Sequence, residues 1–123
     1  MKRMKVVLSV AVVCLFGTVA AVAAVSTAAE TKRGKGASQV ERGREVYTSN
    51  CGRCHGAEGA GHTRMAEIVE PPDMSDASWQ RKRSTSRMVA SVSNGLGQMP
   101  AFKKKLTRQE IAAAVAYVRT LKR

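Results

Sequence analysis

Aromatic side chains are scarce: two phenylalanines, two tyrosines and one tryptophan make up 4% of 123 residues. That length allows one domain and little more. So few large apolar side chains put it near the size limit below which domains need a disulfide, a metal or another staple. Acidic residues are also few, 9 against 21 Lys and Arg, for a formal charge of +12. No segment alternates convincingly as a strand, and no internal repeat or second domain is evident. Cysteine is limited to Cys14, Cys51 and Cys54, and histidine to His55 and His62.

What is present begins with an export signal. Lys2, Arg3 and Lys5 form a positive start, an uncharged apolar run follows from Val6 to Val25, and small residues close it at Ala21-Val22-Ala23 and Ser26-Thr27-Ala28. Residues 1–28 therefore read as a signal peptide. An uncleaved membrane anchor is the alternative, because the run is about 20 residues long. Cys14 lies inside this segment, lacks the small residues that precede a lipid-modified cysteine, and leaves with the signal. Without residues 1–28 the charge is 18 minus 9, or +9. Residues 29–38, polar and glycine-containing without periodicity, read as a flexible linker, and residues 39–123 as the folded domain.

Within that domain, Val40, Gly43, Val46 and Tyr47 share one face of a helix over about Gln39–Ser49, with Asn50 suited to a left-handed cap. Gly43 costs about 1 kcal/mol in a helix interior, so a close neighbour is expected there. Next comes Cys51-Gly52-Arg53-Cys54-His55-Gly56. C-x-x-C-H is a c-type haem attachment pattern. Two thiols separated by two residues can add to the two haem vinyl groups, the following imidazole faces the iron, and small Gly52 and Gly56 let the chain run close to the porphyrin. A zinc ribbon would need a second ligand pair, which the chain does not have. A thioredoxin-like pair would need a βαβ setting, and a disulfide across two residues would be tight and leave His55 without a role.

The sixth iron position needs a ligand. Among Met65, Met74, Met88 and Met99, only Met99 lies on a Gly-rich loop, Asn94-Gly95-Leu96-Gly97-Gln98-Met99-Pro100, between two helical segments. Met88 shares a helical face with Val89 and Val92, while Met65 and Met74 read as gap-fillers. His62, seven residues after His55, is the main challenger, and an open site is the remaining reading. Ser84, Thr85 or Ser86 can cap the Met88 helix. Thr107-x-x-Glu110 is a capping box that opens a last helix with Ile111, Ala114, Val115, Val118 and Leu121 at helical spacing, and Arg119, Lys122 and Arg123 suit its C-terminus.

The ordered set from Val40 to Leu121 resembles a class I c-type cytochrome of the small bacterial monohaem type. Its parts are Gly43 and Tyr47, the Cys51–Gly56 motif, Gly59, Gly61, Pro71-Pro72-Asp73-Met74, Trp79, Gly95 to Phe102, and the last helix with Tyr117. The resemblance implies an all-α domain of about four helices wrapped around one haem c, covalent through Cys51 and Cys54, with His55 and Met99 as axial ligands. It implies that the first and last helices cross at Gly43 and Tyr117. It also implies that a Pro71 or Pro72 carbonyl accepts the His55 Nδ1–H bond, and that Trp79 packs near a propionate or in the core.

Imidazole and thioether together raise the haem potential and fill both axial positions, so single-electron transfer rather than substrate chemistry is expected. A peroxidase or ligand sensor with an open sixth site is the alternative, as is a subunit docked on a larger oxidoreductase. Arg81-Lys82-Arg83 and Lys103-Lys104-Lys105 are the densest basic runs. They suit redox protein partners with acidic docking faces, with a solvated charged face as the plainer reading. Nucleic acid is not expected. A monomer is the default, and the compartment is the periplasm, with membrane association if the signal stays.

Overall fold

Tyr47 lies at the centre of the core, 1% exposed, on a helix that runs without interruption towards the attachment motif. The computed structural model describes residue 34 and residues 36–123; the segment read as an export signal, with Cys14, lies outside them. The described helices are α1 over residues 36–50, then α2 Gly52–His55, α3 Ala66–Val69, α4 Ala77–Lys82, α5 Thr85–Asn94 and α6 Arg108–Thr120, joined by turns and loops. Among the described residues the only β pairing is an isolated bridge between Leu96 and Met99. This is the expected all-α architecture, with two of the helices reduced to single turns. Helix α1 reaches back to residue 36, further than the apolar spacing indicated, because Ala37, Ser38 and Gln39 carry no stop signal and also no buried face.

The caps follow local chemistry. Ser84 accepts a bond from Arg87 N at the start of α5. At α6, Thr107 Oγ1 accepts from Glu110 N, and the Glu110 carboxylate accepts from Thr107 N, a complete capping box. Asp76 caps α4 through Trp79 N at 2.7 Å. Asn50 departs from expectation: it stays helical, and its side-chain amide donates to the Val46 carbonyl at 2.8 Å. The ladder also runs on past it, since Cys51 N donates to the Tyr47 carbonyl, so a left-handed residue is not needed there.

Helices α1 and α6 meet where the glycine and tyrosine were expected. A Cβ added at Gly43 would overlap the Ala113 carbonyl and lie 3.0 Å from Tyr117 Cβ. One turn on, the Tyr47 and Tyr117 rings pack at 5.2 Å with a 55° tilt, a geometry aromatic pairs favour. Around them Met74, Met88, Val115 and Val118 close the core, with Cys51, Trp79, Val89, Val92 and Leu121 packed on its edge.

Gln80 and Ser75 bring polar side chains into this core, and both are satisfied. Gln80, 4% exposed, donates from Nε2 to the carbonyls of Met74 (2.7 Å) and Val118 (2.9 Å). Its Oε1 accepts from Arg119 at 2.8 Å. Arg119 also donates to the Gln80 and Arg83 carbonyls and to Thr85 Oγ1. Ser75, 1% exposed, bonds Asp73 and accepts from the Arg123 guanidinium, and its carbonyl accepts Arg123 N at 2.9 Å. Together these bonds tie α4 and the Pro71–Ser75 segment to the last helix and its exit.

Candidate cofactor site

Cys51, Cys54 and His55 share one turn, because α2 begins where α1 stops: Cys51 N donates to the Tyr47 carbonyl at 2.8 Å. Inside the turn, Cys54 N and His55 N both donate to the Cys51 carbonyl, and Gly56 N donates to the Gly52 carbonyl. Three further carbonyls of the segment accept bonds from outside the turn. Thr63 Oγ1 bonds Cys54 O at 3.3 Å, Gly61 N bonds His55 O at 2.9 Å, and the buried Tyr47 hydroxyl donates to Gly56 O at 2.7 Å. Tyr47 therefore holds the motif at both ends, by its carbonyl and by its phenol. The six-residue segment has little freedom left, which is what a covalent two-point attachment needs.

The chemistry of the three side chains is consistent with that use. Cys51 and Cys54 are free thiols, so the tight disulfide weighed from sequence is not formed. Burial, and then the neighbouring Cys54, push the Cys51 thiol up to about 11, while the Lys105 ammonium acts in the opposite direction. Burial also pushes His55 below the ordinary histidine value, favouring the neutral imidazole that binds metals. Its Nδ1 is buried and, among the described residues, has no hydrogen-bond partner. The bond expected from Pro71 or Pro72 is thus not made; the Pro71 carbonyl instead packs over Gly61, where an added Cβ would meet it at 3.5 Å. Two thiols and a desolvated, neutral imidazole on one rigid turn form a donor set that fits a covalently held haem.

Met99 lies apart in sequence, on the loop joining α5 to α6, and is half-buried. Leu96 N donates to Met99 O at 3.1 Å, and Met99 N to Leu96 O at 3.0 Å. The two-residue turn between them starts at Gly97 with φ +59°, as a mirror-image hairpin turn requires. Beyond the turn, Phe102 N and Lys103 N donate to the Val92 and Ser93 carbonyls of α5. Of the other methionines, Met74 and Met88 are core residues, and Met65 is half-buried at the start of α3. His62 is exposed, beside an open cleft lined by Gly61, Thr63, Arg64 and Glu67. Trp79 packs on the core edge. Sequence reasoning missed the phenol-to-Gly56 bond; the Tyr47 position, four residues before Cys51 on the buried face of α1, was its only trace.

Comparison with known proteins completes the site. Residues 38–118 match the protein family described as cytochrome C oxidase, cbb3-type, subunit III. The chain is 32% identical over 91 residues to the cbb3-type cytochrome c oxidase subunit CcoP of Azospirillum brasilense, covering 73% of this chain and 31% of that one. It is 34% identical over 76 residues to cytochrome c6 of Leptolyngbya boryana, covering 62% of this chain and 85% of that one. Among solved structures it is similar to the KustC0563 c-type cytochrome, with TM-score 0.62 and 35% identity over 66% of this chain and 98% of that one. The chain thus spans about a third of the length of the CcoP relatives it matches, and most of the length of that cytochrome c6. It belongs to the cytochrome c family, within the cbb3-type subunit III group, and its cofactor is a covalently bound haem c for which Cys51 and Cys54 supply the attachment motif.

Proposed function

We propose that this cytochrome is an exported single-electron carrier, with His55 and Met99 as the axial ligands of its haem. The observation that carries the reading is the pair of pinned segments: an attachment turn held through the carbonyls of Cys51, Gly52, Cys54, His55 and Gly56, and a Met99 loop bonded back on itself and onto α5. The haem supplies reversible one-electron exchange at iron. The protein's part is to hold an imidazole and a thioether in fixed places, to keep His55 neutral by burial, and to leave no axial position for oxygen or a substrate. Optical spectra of the haem-loaded protein test this. A low-spin reduced spectrum, a weak far-red sulfur-to-iron band when oxidised, and no response to carbon monoxide are expected. Met99→Ala should abolish the band. A high-spin spectrum that shifts with carbon monoxide would favour an open site and a sensing or peroxidatic role.

The partner-facing surface follows from charge. Lys103, Lys104 and Lys105 are exposed on the segment that follows the Met99 loop, and Lys105 lies close enough to Cys51 to act on its thiol. These lysines steer an acidic redox partner towards the haem. A second reading has specific support: the match to CcoP, a subunit of a cbb3-type oxidase, favours a cytochrome docked permanently on a larger complex. Gel filtration of the protein from its native membranes and periplasm separates the two, since a free carrier elutes as a monomer and a subunit co-elutes with its complex.

A further inference from the structure

The Met99 loop contains two glycines in the left-handed region, and they are not equivalent. Gly95 ends α5 with φ +80° and ψ 164°, a combination essentially confined to glycine. A Cβ added there would lie 2.7 Å from the Met99 carbonyl oxygen, 3.1 Å from Ala101 N and 3.2 Å from the Pro100 carbonyl carbon. The first is closer than a Cβ comes to any atom, and the other two are tight enough that the neighbour must give by a few tenths of an ångström. The segment carrying Met99 therefore rests directly on the α-carbon of residue 95. Gly97 has φ +59°, but nothing lies within 4 Å of a Cβ placed on it.

We infer that Gly95 is a positioning residue for Met99, its missing side chain letting the Met99 backbone close down on the end of α5. The inference rests on Met99 being the axial ligand. Relief by sideways movement is blocked on both flanks. Before the turn, Gly95 N is bonded to the Ser91 carbonyl at 2.8 Å; after it, Phe102 N and Lys103 N are bonded to Val92 and Ser93. A side chain at 95 can be accommodated only by lifting residues 99–101, and with them the thioether.

The experiment compares haem-loaded Gly95→Ala and Gly97→Ala with the unaltered protein, reading the far-red band, carbon monoxide binding and the mass of covalently attached haem. Gly95→Ala should keep its covalent haem, lose the band and bind carbon monoxide, whereas Gly97→Ala should keep the band. Gly95→Asn places the same Cβ at that position, and retained helical circular dichroism identifies which of the two variants is folded and can be read. A band retained at full strength in both Gly95 variants, or lost equally in Gly97→Ala, overturns the inference while leaving Met99 as ligand. An unaltered protein that already lacks the band and binds carbon monoxide overturns both.

Discussion

Tyr47 does two separable things, and single substitutions can part them. Its ring packs against Tyr117, while its hydroxyl fixes Gly56, the residue after His55. Tyr47→Phe keeps the ring and removes one buried hydrogen bond, so a loss of about 1 kcal/mol is expected in guanidinium unfolding. The residual Gly59 N–H bond to Gly56 O at 3.3 Å limits the penalty. Tyr47→Ala removes both functions and should cost about 3–5 kcal/mol. Gly43 gives the opposite lesson about local rules. Helix propensity alone says that Gly43→Ala should stabilise by about 1 kcal/mol. The Ala113 carbonyl occupies the space the methyl would need, so the measured sign should be destabilising, by about 1–3 kcal/mol.

At the scale of elements, Gln80 is the clasp between α4 and α6. Gln80→Leu would leave two buried carbonyls and the Arg119 guanidinium without their shared partner, and a loss of about 2–4 kcal/mol is expected in the same unfolding assay. The capping box of α6 makes a prediction about pH. Bonds from Thr107, and then the Arg42 guanidinium, hold the Glu110 carboxyl below its ordinary value of 4.5. A depressed folded value means that its contribution is fully present above the unfolded value and disappears as pH falls through the folded one. The stability difference between the protein and Glu110→Gln should therefore be constant at neutral pH and shrink in acid below about 4.5. A difference that grows in acid would contradict the assignment.

These elements also mark how far the sequence could be read. The attachment motif and the T-x-x-E box were legible because each depends on neighbours in sequence, whereas the Gly43–Tyr117 crossing came from the family resemblance. Gln80 was not: a glutamine among polar residues gives no hint of burial, and its partner carbonyl on Val118 is 38 residues away. Arg119 read as a charge suited to a helix end, yet its guanidinium is spent on Gln80, Arg83 and Thr85. Asn50 read as a backbone cap and acts through its side chain. For the site, Cys51, Cys54 and His55 came directly from spacing. Met99 was singled out by its glycine-rich loop, but the contact that makes Gly95 unlike Gly97 exists only once the loop is closed.

For the whole molecule, charge sets the expected kinetics. With 21 basic and 9 acidic residues in the chain, electron exchange with an acidic partner should slow as salt screens the encounter. Replacing Lys103, Lys104 and Lys105 by glutamine should lower the association rate by about tenfold at low ionic strength and flatten its salt dependence. Stopped-flow reduction at a series of salt concentrations checks both, and rates flat with salt in the unaltered protein would remove the steering role. The bonds that shape the attachment turn have a further consequence, for the order of assembly. Tyr47 to Gly56 and Thr63 to Cys54 each span nine residues, whereas the bonds that lock the last helix span 38, 39 and 48. Short loops close at low entropic cost and early, long ones late. The turn that carries the two thiols can therefore take shape from contacts local in sequence, before the last helix docks.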